Sequence, residues 1–114
     1  MSRVSQISKS PPYAVEQALT RLGKNIKTAR LRRKLTHEEL AGKIGITRNV
    51  MADIEGGKPT TAIAAYIGAL WALDLLGAMR DVADPDLDEV GKALERARAP
   101  GTAPKRTKEL DNEF

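Results

Sequence analysis

The chain has 114 residues with 19 lysines and arginines against 15 aspartates and glutamates, and its length suits a single domain. The absence of cysteine excludes disulfide bonds and thiolate metal sites. Nothing resembles a signal peptide, and no apolar run approaches the ~18 residues of a membrane span, so we expect a soluble, cytoplasmic protein. With one Phe, one Trp and two Tyr, the core must consist mainly of aliphatic residues, which favours helices.

Charge is unevenly distributed along the chain. Residues 1–37 contain nine lysines and arginines and a single acid, Glu16. From Asp74 to Glu95 the balance reverses, with seven acids against Arg80 and Lys92. A basic end suggests a polyanionic partner on one side of the protein. The acidic segment would face away from that partner, or toward another protein.

The first part of the chain predicts an arm followed by a long helix. Residues 1–10 are polar without periodicity, which is typical of a flexible arm. Pro11 and Pro12 predict the start of a helix that ends near Lys34. Gly23 should weaken this helix, because glycine disfavours helix interiors. The apolar stripe of the helix recurs at steps of three and four: Val15, Leu19, Leu22, Ile26 and Ala29.

Residues 35–57 predict two short helices joined by a tight turn. Thr36 followed by Glu39 forms a capping box at the start of the first helix. Gly45 ends that helix where a positive φ is needed, and Thr47 caps the second. Four apolar residues at helical spacing face the core: Leu40, Ile44, Met51 and Ile54. This is the arrangement of a helix-turn-helix.

Three further helices are predicted after the motif. Lys58–Thr61 forms a loop with a cap for a fourth helix that runs to about Leu73, with Tyr66 reaching the surface. Asp74 caps a fifth helix. Asp86 with Glu89 begins a sixth helix, and residues 99–114 form a basic flexible tail. The expected core residues of the fourth helix are Ile63, Ile67, Leu70 and Trp71. The sixth helix has the apolar stripe Leu87, Val90, Leu94 and Ala97.

A helix-turn-helix reads double-stranded DNA by laying its second helix in the major groove. Arg48 and Asn49 lie near the start of that helix, where they can bond bidentately to guanine and adenine, respectively. Ala52, one turn further on, can contact a thymine methyl. Asp53 either accepts a hydrogen bond from cytosine or orients Arg48 or Asn49. These four residues are the predicted base contacts.

Phosphate contacts are predicted around the motif. Thr36 and His37 open its first helix, where free backbone N–H groups and the helix dipole attract anions. A protonated His37 would bind phosphate better, so we expect DNA affinity to vary between about pH 5.5 and 8. Four further residues complete the predicted phosphate contacts: Lys34, Thr47, Lys58 and Thr60. For the two lysines, the alternative is a solubilising surface role.

Such domains bind pseudo-palindromic DNA as two-fold dimers, so we expect a homodimer. The apolar residues of the fifth and sixth helices either form the dimer interface or cover the core: Leu75, Leu76, Met79, Leu87, Val90 and Leu94. No nucleophile–base set, metal-ligand spacing or phosphate-cradling glycine loop is visible. We therefore expect no enzymatic activity, no cofactor and no metal.

The stretch L-T-H-E-E-L-A-G-K-I-G-I-T-R-N-V-M-A-D-I-E-G-G resembles the Cro/C1-type helix-turn-helix of phage repressors and XRE-like regulators. That family reads roughly L-T-Q-x-E-L-A-x-x-x-G-[VI]-S-x-x-x-[IV]-x-x-[IL]-E-x-G. The departures are His37 in place of glutamine, and Ala52 and Asp53 in place of more polar or basic residues. The resemblance implies an all-α, lambda-repressor-like domain of about five to six helices over residues 11–98, with the motif at 36–56 between flexible tails.

The same resemblance assigns two structural roles. An arginine at the position of Arg30 pairs in that family with the glutamate that ends the recognition helix, here Glu55. The pair would be bidentate and partly buried, and the alternative is two exposed charges that never meet. In related repressors the residue matching His37 is a glutamine that binds phosphate and braces the recognition helix. His37 is expected to donate one hydrogen bond in the same way.

The flanking segments resemble the HipB-like antitoxins that accompany HipA-type serine/threonine kinase toxins. These segments are L-G-K-N-I-K-T-A-R-L-R-R-K-L-T, I-G-A-L-W-A-L-D-L-L, and V-A-D-P-D-L-D-E-V-G-K-A-L-E-R-A-R-A-P with the later K-R. The resemblance implies a dimeric, nucleoid-associated antitoxin of a type II toxin-antitoxin system. It would repress its own operon and neutralise a kinase toxin made of one chain or two.

Two other functions remain open. One is a stand-alone repressor, phage-like or chromosomal, without a toxin. The other is a coactivator-style module that bridges proteins without specific base contacts. The antitoxin function needs a second surface, for which the acidic segment around Asp81–Glu89 and the C-terminal tail 99–114 are the candidates.

Overall fold

The computed structural model describes residues 5–98 and confirms an all-helical fold, with no strand among those residues. The α-helices are α1 (Gln6–Lys9), α2 (Tyr13–Arg32), α3 (His37–Ile44), α4 (Arg48–Glu55), α5 (Ile63–Ala72) and α6 (Glu89–Arg98). Two 3-10 helices, Leu76–Asp81 and Pro85–Leu87, lie between α5 and α6. Among the described helices, none combines the length and apolar character that crossing a membrane requires. The predicted tail 99–114 and residues 1–4 of the predicted arm lie outside the described residues.

The chain divides into two compact units with a boundary between Gly77 and Ala78. This boundary falls inside the segment 11–98 that the sequence predicted as one domain. The short helix α1, which has no buried residue, was not predicted within the polar arm. The first unit contains α1 to α5, and the second contains the helix Pro85–Leu87 and α6.

The core of the first unit lies between α2, α3, α4 and α5, where α4 packs against each of the other three helices. Its largest fully buried side chains are Ile26, Leu40, Met51, Ile54 and Leu73. Each predicted stripe of α2, α3 and α4 contributes to this set. The pattern of apolar residues therefore identified the inward faces of these three helices correctly.

Gly23 is a close-packing position and not the weak point that the sequence suggested. A Cβ built at Gly23 would lie 2.6 Å from the carbonyl oxygens of both Ile54 and Glu55. Gly57 lies equally close to the backbone of α2 and has a φ of +71°. A Cβ built at Gly57 would lie 2.6 Å from the carbonyl oxygen of Leu19. The absence of a side chain at these two glycines lets the backbone of α2 pack directly against the backbone at the end of α4.

The rotation of α5 differs from the prediction. Tyr66 is buried, with 3% of its surface exposed, and its hydroxyl donates to the carbonyl of Lys58 at 2.9 Å. Trp71 and Ile63, predicted as core residues, are 60% and 73% exposed. The inward face of the helix runs instead through Tyr66, Ala69, Leu70 and Leu73. Because α5 is apolar on all sides, its sequence has no polar face to fix which side points inward.

Asp74 ends α5 and does not cap a following helix as predicted. It adopts the left-handed conformation at φ 62°. The amide of Leu75 donates to the carbonyl of Leu70 at 2.8 Å, and that of Asp74 to Trp71 at 3.1 Å. These two bonds form a Schellman motif. The segment that follows is the 3-10 helix Leu76–Asp81 rather than an α-helix.

In the second unit, the predicted sixth helix is present as α6. Its start is held by Asp88, whose Oδ1 accepts from the amide of Gly91 at 2.9 Å, and not by Asp86 as predicted. Asp84 organises the preceding turn, because its Oδ1 accepts from the amide of Asp86 at 2.9 Å. The apolar stripe of this unit is exposed: Leu87 60%, Val90 71% and Leu94 64%.

Candidate nucleic-acid interface

Helices α3 and α4 form the predicted helix-turn-helix. The capping box is complete, since the amide of Glu39 donates to Thr36 Oγ1 at 3.0 Å and the amide of Thr36 to Glu39 Oε1 at 2.8 Å. Gly45 takes the left-handed conformation at φ 80°, and Thr47 Oγ1 accepts from the amide of Val50 at 3.1 Å. The turn between the helices is therefore fixed by local contacts that the sequence encodes.

The outer face of α4 presents three of the four predicted base contacts. Met51 and Ile54 hold the inner face of the helix in the core with no exposed surface. Arg48, Asn49 and Ala52 are all exposed. A guanidinium, an amide and a methyl group on one exposed helix face can serve direct readout in a major groove.

Asp53, the fourth predicted base contact, pairs with a neighbouring loop. Its Oδ2 lies 3.7 Å from Nζ of Lys58, and the two side chains are 40% and 55% exposed. Burial, and then the negative charge of Asp53, raises the pKa of the Tyr66 hydroxyl. Asp53 thus contacts the loop after α4. This contact was not predicted, since the two predicted roles of Asp53 were to accept a hydrogen bond from cytosine or to orient Arg48 or Asn49.

A surface groove brings together residues from α2, α3 and α4. Its lining consists of Arg30, Leu31, Leu35, Thr36, His37, Glu38 and Arg48. Two predicted phosphate contacts, Thr36 and His37, therefore share one groove with the predicted base reader Arg48. Glu38 was not predicted here, and its carboxylate opposes the attraction of an anion by its neighbours. We call this lining the α3 groove.

Arg30, which lines the α3 groove, belongs to a buried ionic cluster. Arg30 Nε donates to Glu55 Oε2 at 2.6 Å and Arg30 Nη2 to Glu55 Oε1 at 3.0 Å. The two residues are only 6% and 9% exposed, so the alternative of two separate surface charges is wrong. Arg30 Nη1 also donates to the carbonyl of Leu35 at 2.8 Å, a contact that the sequence did not indicate.

Burial raises the pKa of Glu55, but the hydrogen bonds and positive charges of Arg30 and His37 outweigh it and lower the pKa below its ordinary value. The carboxylate therefore stays ionised inside the fold. This charge distribution keeps the end of α4 attached to both α2 and α3.

His37 belongs to this cluster. Its Nε2 lies 2.9 Å from Glu55 Oε1 and 3.2 Å from Arg30 Nη2, and about a third of its side chain (32%) is exposed. The ring thus braces α4, as the family resemblance implied. The sequence could not indicate that Nε2 of His37 is already in contact with Glu55, which lies 18 positions later.

The remaining predicted phosphate contacts lie elsewhere on the surface. Lys34 is exposed at the end of α2 in the left-handed conformation, at φ 56°. Lys58 and Thr60 are exposed in the loop between α4 and α5, and Thr47 is exposed at the N-terminus of α4. None of these four residues lines the α3 groove.

Comparisons with protein-family models, with curated proteins and with solved structures found no match for this chain. The functional interpretation therefore depends on the residues of the motif and on their geometry.

Proposed function

We propose that the protein is a sequence-specific, double-stranded-DNA-binding transcriptional repressor that inserts α4 into the major groove. The observation that carries this proposal is the pairing of an exposed Arg48–Asn49–Ala52 face with a buried ionic cluster that fixes α4. Base readout requires side chains held by a rigid support, and the Arg30–Glu55 pair provides one. The exposed basic residues of α2 supply the sequence-independent attraction for DNA.

The α3 groove supports phosphate binding beside this face. The capping box occupies the amides of Thr36 and Glu39, and the first-turn amides of His37 and Glu38 remain to face an anion next to the exposed edge of the His37 ring. Contacts of this kind position a domain on DNA without specifying sequence. Base readout by α4 and phosphate contact by the α3 groove would then together fix the position of the domain along the DNA duplex.

We further propose that the repressor acts as a homodimer. The residues predicted either to form the interface or to cover the core are mostly exposed: Leu75 38%, Leu76 37%, Leu87 60%, Val90 71% and Leu94 64%. Met79 is half-buried. Within each unit, exposure favours the interface over the alternative of a covered core, because exposed apolar residues that cluster on one face commonly mark association surfaces.

The proposed biological role is that of an antitoxin in a type II toxin-antitoxin system, in the cytoplasm on the nucleoid. It would repress its own operon and neutralise a HipA-type serine/threonine kinase, supplied as one chain or two. The support is the resemblance of the flanking segments to HipB-like antitoxins. The second candidate is a stand-alone repressor without a toxin, which the helix-turn-helix geometry supports equally well.

The DNA-binding proposal is tested by selecting bound sequences from a random pool of double-stranded DNA. Arg48→Ala and Asn49→Ala should each weaken binding to the selected duplex by about 10- to 100-fold while changing binding to a scrambled duplex little. Arg96→Ala, on the exposed surface of α6, is the matched control and should retain specific binding. Equal, small losses on both duplexes would instead indicate a basic bridging module.

The partner is tested by purifying the tagged protein from its native host at moderate salt. A stoichiometric protein of kinase size, in a complex that still binds the promoter of the operon, is the result expected for an antitoxin. Recovery of only the homodimer and DNA would leave the stand-alone repressor as the better account.

A further inference from the structure

The neutral ring of His37 has no N–H left for a phosphate. A neutral imidazole carries one proton, and its neighbours decide which nitrogen holds that proton. Nε2 lies 2.9 Å from the carboxylate oxygen Oε1 of Glu55, which can only accept a hydrogen bond. Arg30 Nη2, 3.2 Å from the same nitrogen, already donates to Oε1 at 3.0 Å. The proton of the neutral ring therefore lies on Nε2, and Nδ1 carries a lone pair.

Four charged groups either contact this ring or line the same groove. Arg30 from α2 and Glu55 from α4 contact it directly, while Glu38 from α3 and Arg48 from α4 line the same α3 groove. A bound DNA phosphate adds a negative charge beside the ring, and a nearby negative charge favours the imidazolium form.

We propose that the protein takes up a proton at His37 when the α3 groove binds a DNA phosphate. In the neutral ring, the lone pair on Nδ1 repels a phosphate oxygen. In the imidazolium, Nδ1–H can donate a charge-assisted hydrogen bond while Nε2–H stays on Glu55. The exposed third of the side chain (32%) makes the ring accessible to a ligand. This inference rests on the proposed DNA-binding function and adds a pH-dependent regulation of the same site.

The geometry distinguishes His37 from a glutamine at the same position. A glutamine has two N–H donors on one nitrogen, so it can satisfy Glu55 and a phosphate together at any pH. Histidine can do both only when it is protonated. At this position a glutamine would make a pH-independent contact, whereas His37 makes a proton-linked one.

The test measures the dissociation constant for the selected DNA duplex at several values between about pH 5.5 and 8, at constant ionic strength. His37 is the only histidine in the chain, so few other groups of the protein titrate in this range. Wild type should lose about tenfold in affinity from the acidic to the basic end, as expected for one charge-assisted hydrogen bond. His37→Gln should bind with nearly constant affinity, and its melting temperature verifies folding.

Calorimetry of the wild-type protein provides a second readout that needs no variant. Titrations in two buffers of different ionisation enthalpy should reveal net proton uptake of up to one per protomer near neutral pH. Binding without proton uptake, or equal pH profiles for wild type and His37→Gln, would overturn the inference and leave the DNA-binding function standing. If no duplex is bound at any pH, both the function and the inference are wrong.

Discussion

Arg30 and Glu55, 25 residues apart, form a bidentate ion pair whose N–O distances are 2.6 and 3.0 Å. Fewer than one-tenth of the surface of each residue is exposed, so solvent screens the pair little. The pair attaches the last residue of α4 to α2, and His37 adds a contact from α3. Three helices of the candidate interface thus meet at one carboxylate.

Removing the arginine should destabilise the fold strongly. Arg30→Ala leaves the Glu55 carboxylate buried without its main partner, and we expect the free energy of unfolding to fall by about 3–5 kcal/mol. Urea denaturation followed by circular dichroism measures this change. Arg32→Ala, an exposed position in the same helix turn, is the control and should alter stability by less than about 0.5 kcal/mol. Similar losses in both variants would contradict a special role for the pair.

The stability should fall in acid because of Glu55. Its pKa is lowered in the folded state, so the unfolded chain binds a proton more readily than the native one. The resulting stabilisation is fully present above the ordinary value of 4.5 and is lost as the pH falls through the lower folded-state pKa. Melting temperatures measured from neutral to acidic pH should therefore drop below about pH 5.

Glu55→Gln isolates this contribution. The variant should be less stable than wild type at neutral pH, because the amide cannot replace the charged acceptor for Arg30. It should also lose less stability on acidification. If its melting temperature falls with pH as steeply as that of wild type, other carboxylates account for the acid sensitivity.

Gly23 is tightly packed and Gly42 is surrounded by open space, so alanine at these two positions tests the packing of α2 against α4. Gly23→Ala places a methyl group 2.6 Å from two carbonyl oxygens of α4, so we expect a loss of about 1–3 kcal/mol from forced separation of the helices. Gly42→Ala, inside α3, meets nothing within 4 Å and should stabilise by about 0.5–1 kcal/mol. A gain in stability for Gly23→Ala would mean that α2 and α4 do not cross at this point. Thermal unfolding measures whether each variant is more or less stable than the wild-type protein.

Local signals in the sequence predicted the helix-turn-helix well. The capping box of Thr36 and Glu39, the left-handed Gly45 and the Thr47 cap all depend on residues within four positions of each other. Apolar periodicity then placed α2 and α4 in the core. The family resemblance supplied the Arg30–Glu55 pair, which no local pattern encodes.

Features that depend on distant residues were predicted poorly. The role of Gly23 follows from the backbone of α4, some thirty residues away, and not from its own helix. The rotation of α5 follows from the Tyr66 contact with Lys58, because an all-apolar helix carries no rotational signal of its own. Each error arose where the local sequence allows more than one conformation or orientation and tertiary contacts decide between them.

The left-handed residues that end two helices offer a route to a more stable protein. Lys34 and Asp74 occupy the position after the helix cap in Schellman motifs, at φ 56° and 62°, where glycine is the usual residue. Lys34→Gly and Asp74→Gly should each raise the free energy of unfolding by about 0.5–1 kcal/mol through relief of backbone strain. Lys27→Gly, in the exposed interior of α2, should instead lower it by about 1 kcal/mol. A loss of stability in both of the first two variants would contradict the strain argument.

The exposed stripe of α6 provides a test of the proposed homodimer. Val90 and Leu94 are 71% and 64% exposed, so Val90→Glu and Leu94→Glu should leave the fold of the protomer intact. At a dimer interface, however, each introduced carboxylate would be buried without a partner, and we expect the dimer dissociation constant to rise at least about tenfold. Arg96→Glu changes the charge of the exposed surface of α6 more strongly and is the control. Sedimentation equilibrium distinguishes the outcomes. If Val90→Glu and Leu94→Glu leave the dimer unaffected, the interface lies elsewhere. If the wild-type protein is a monomer at all concentrations, the homodimer is not part of its function.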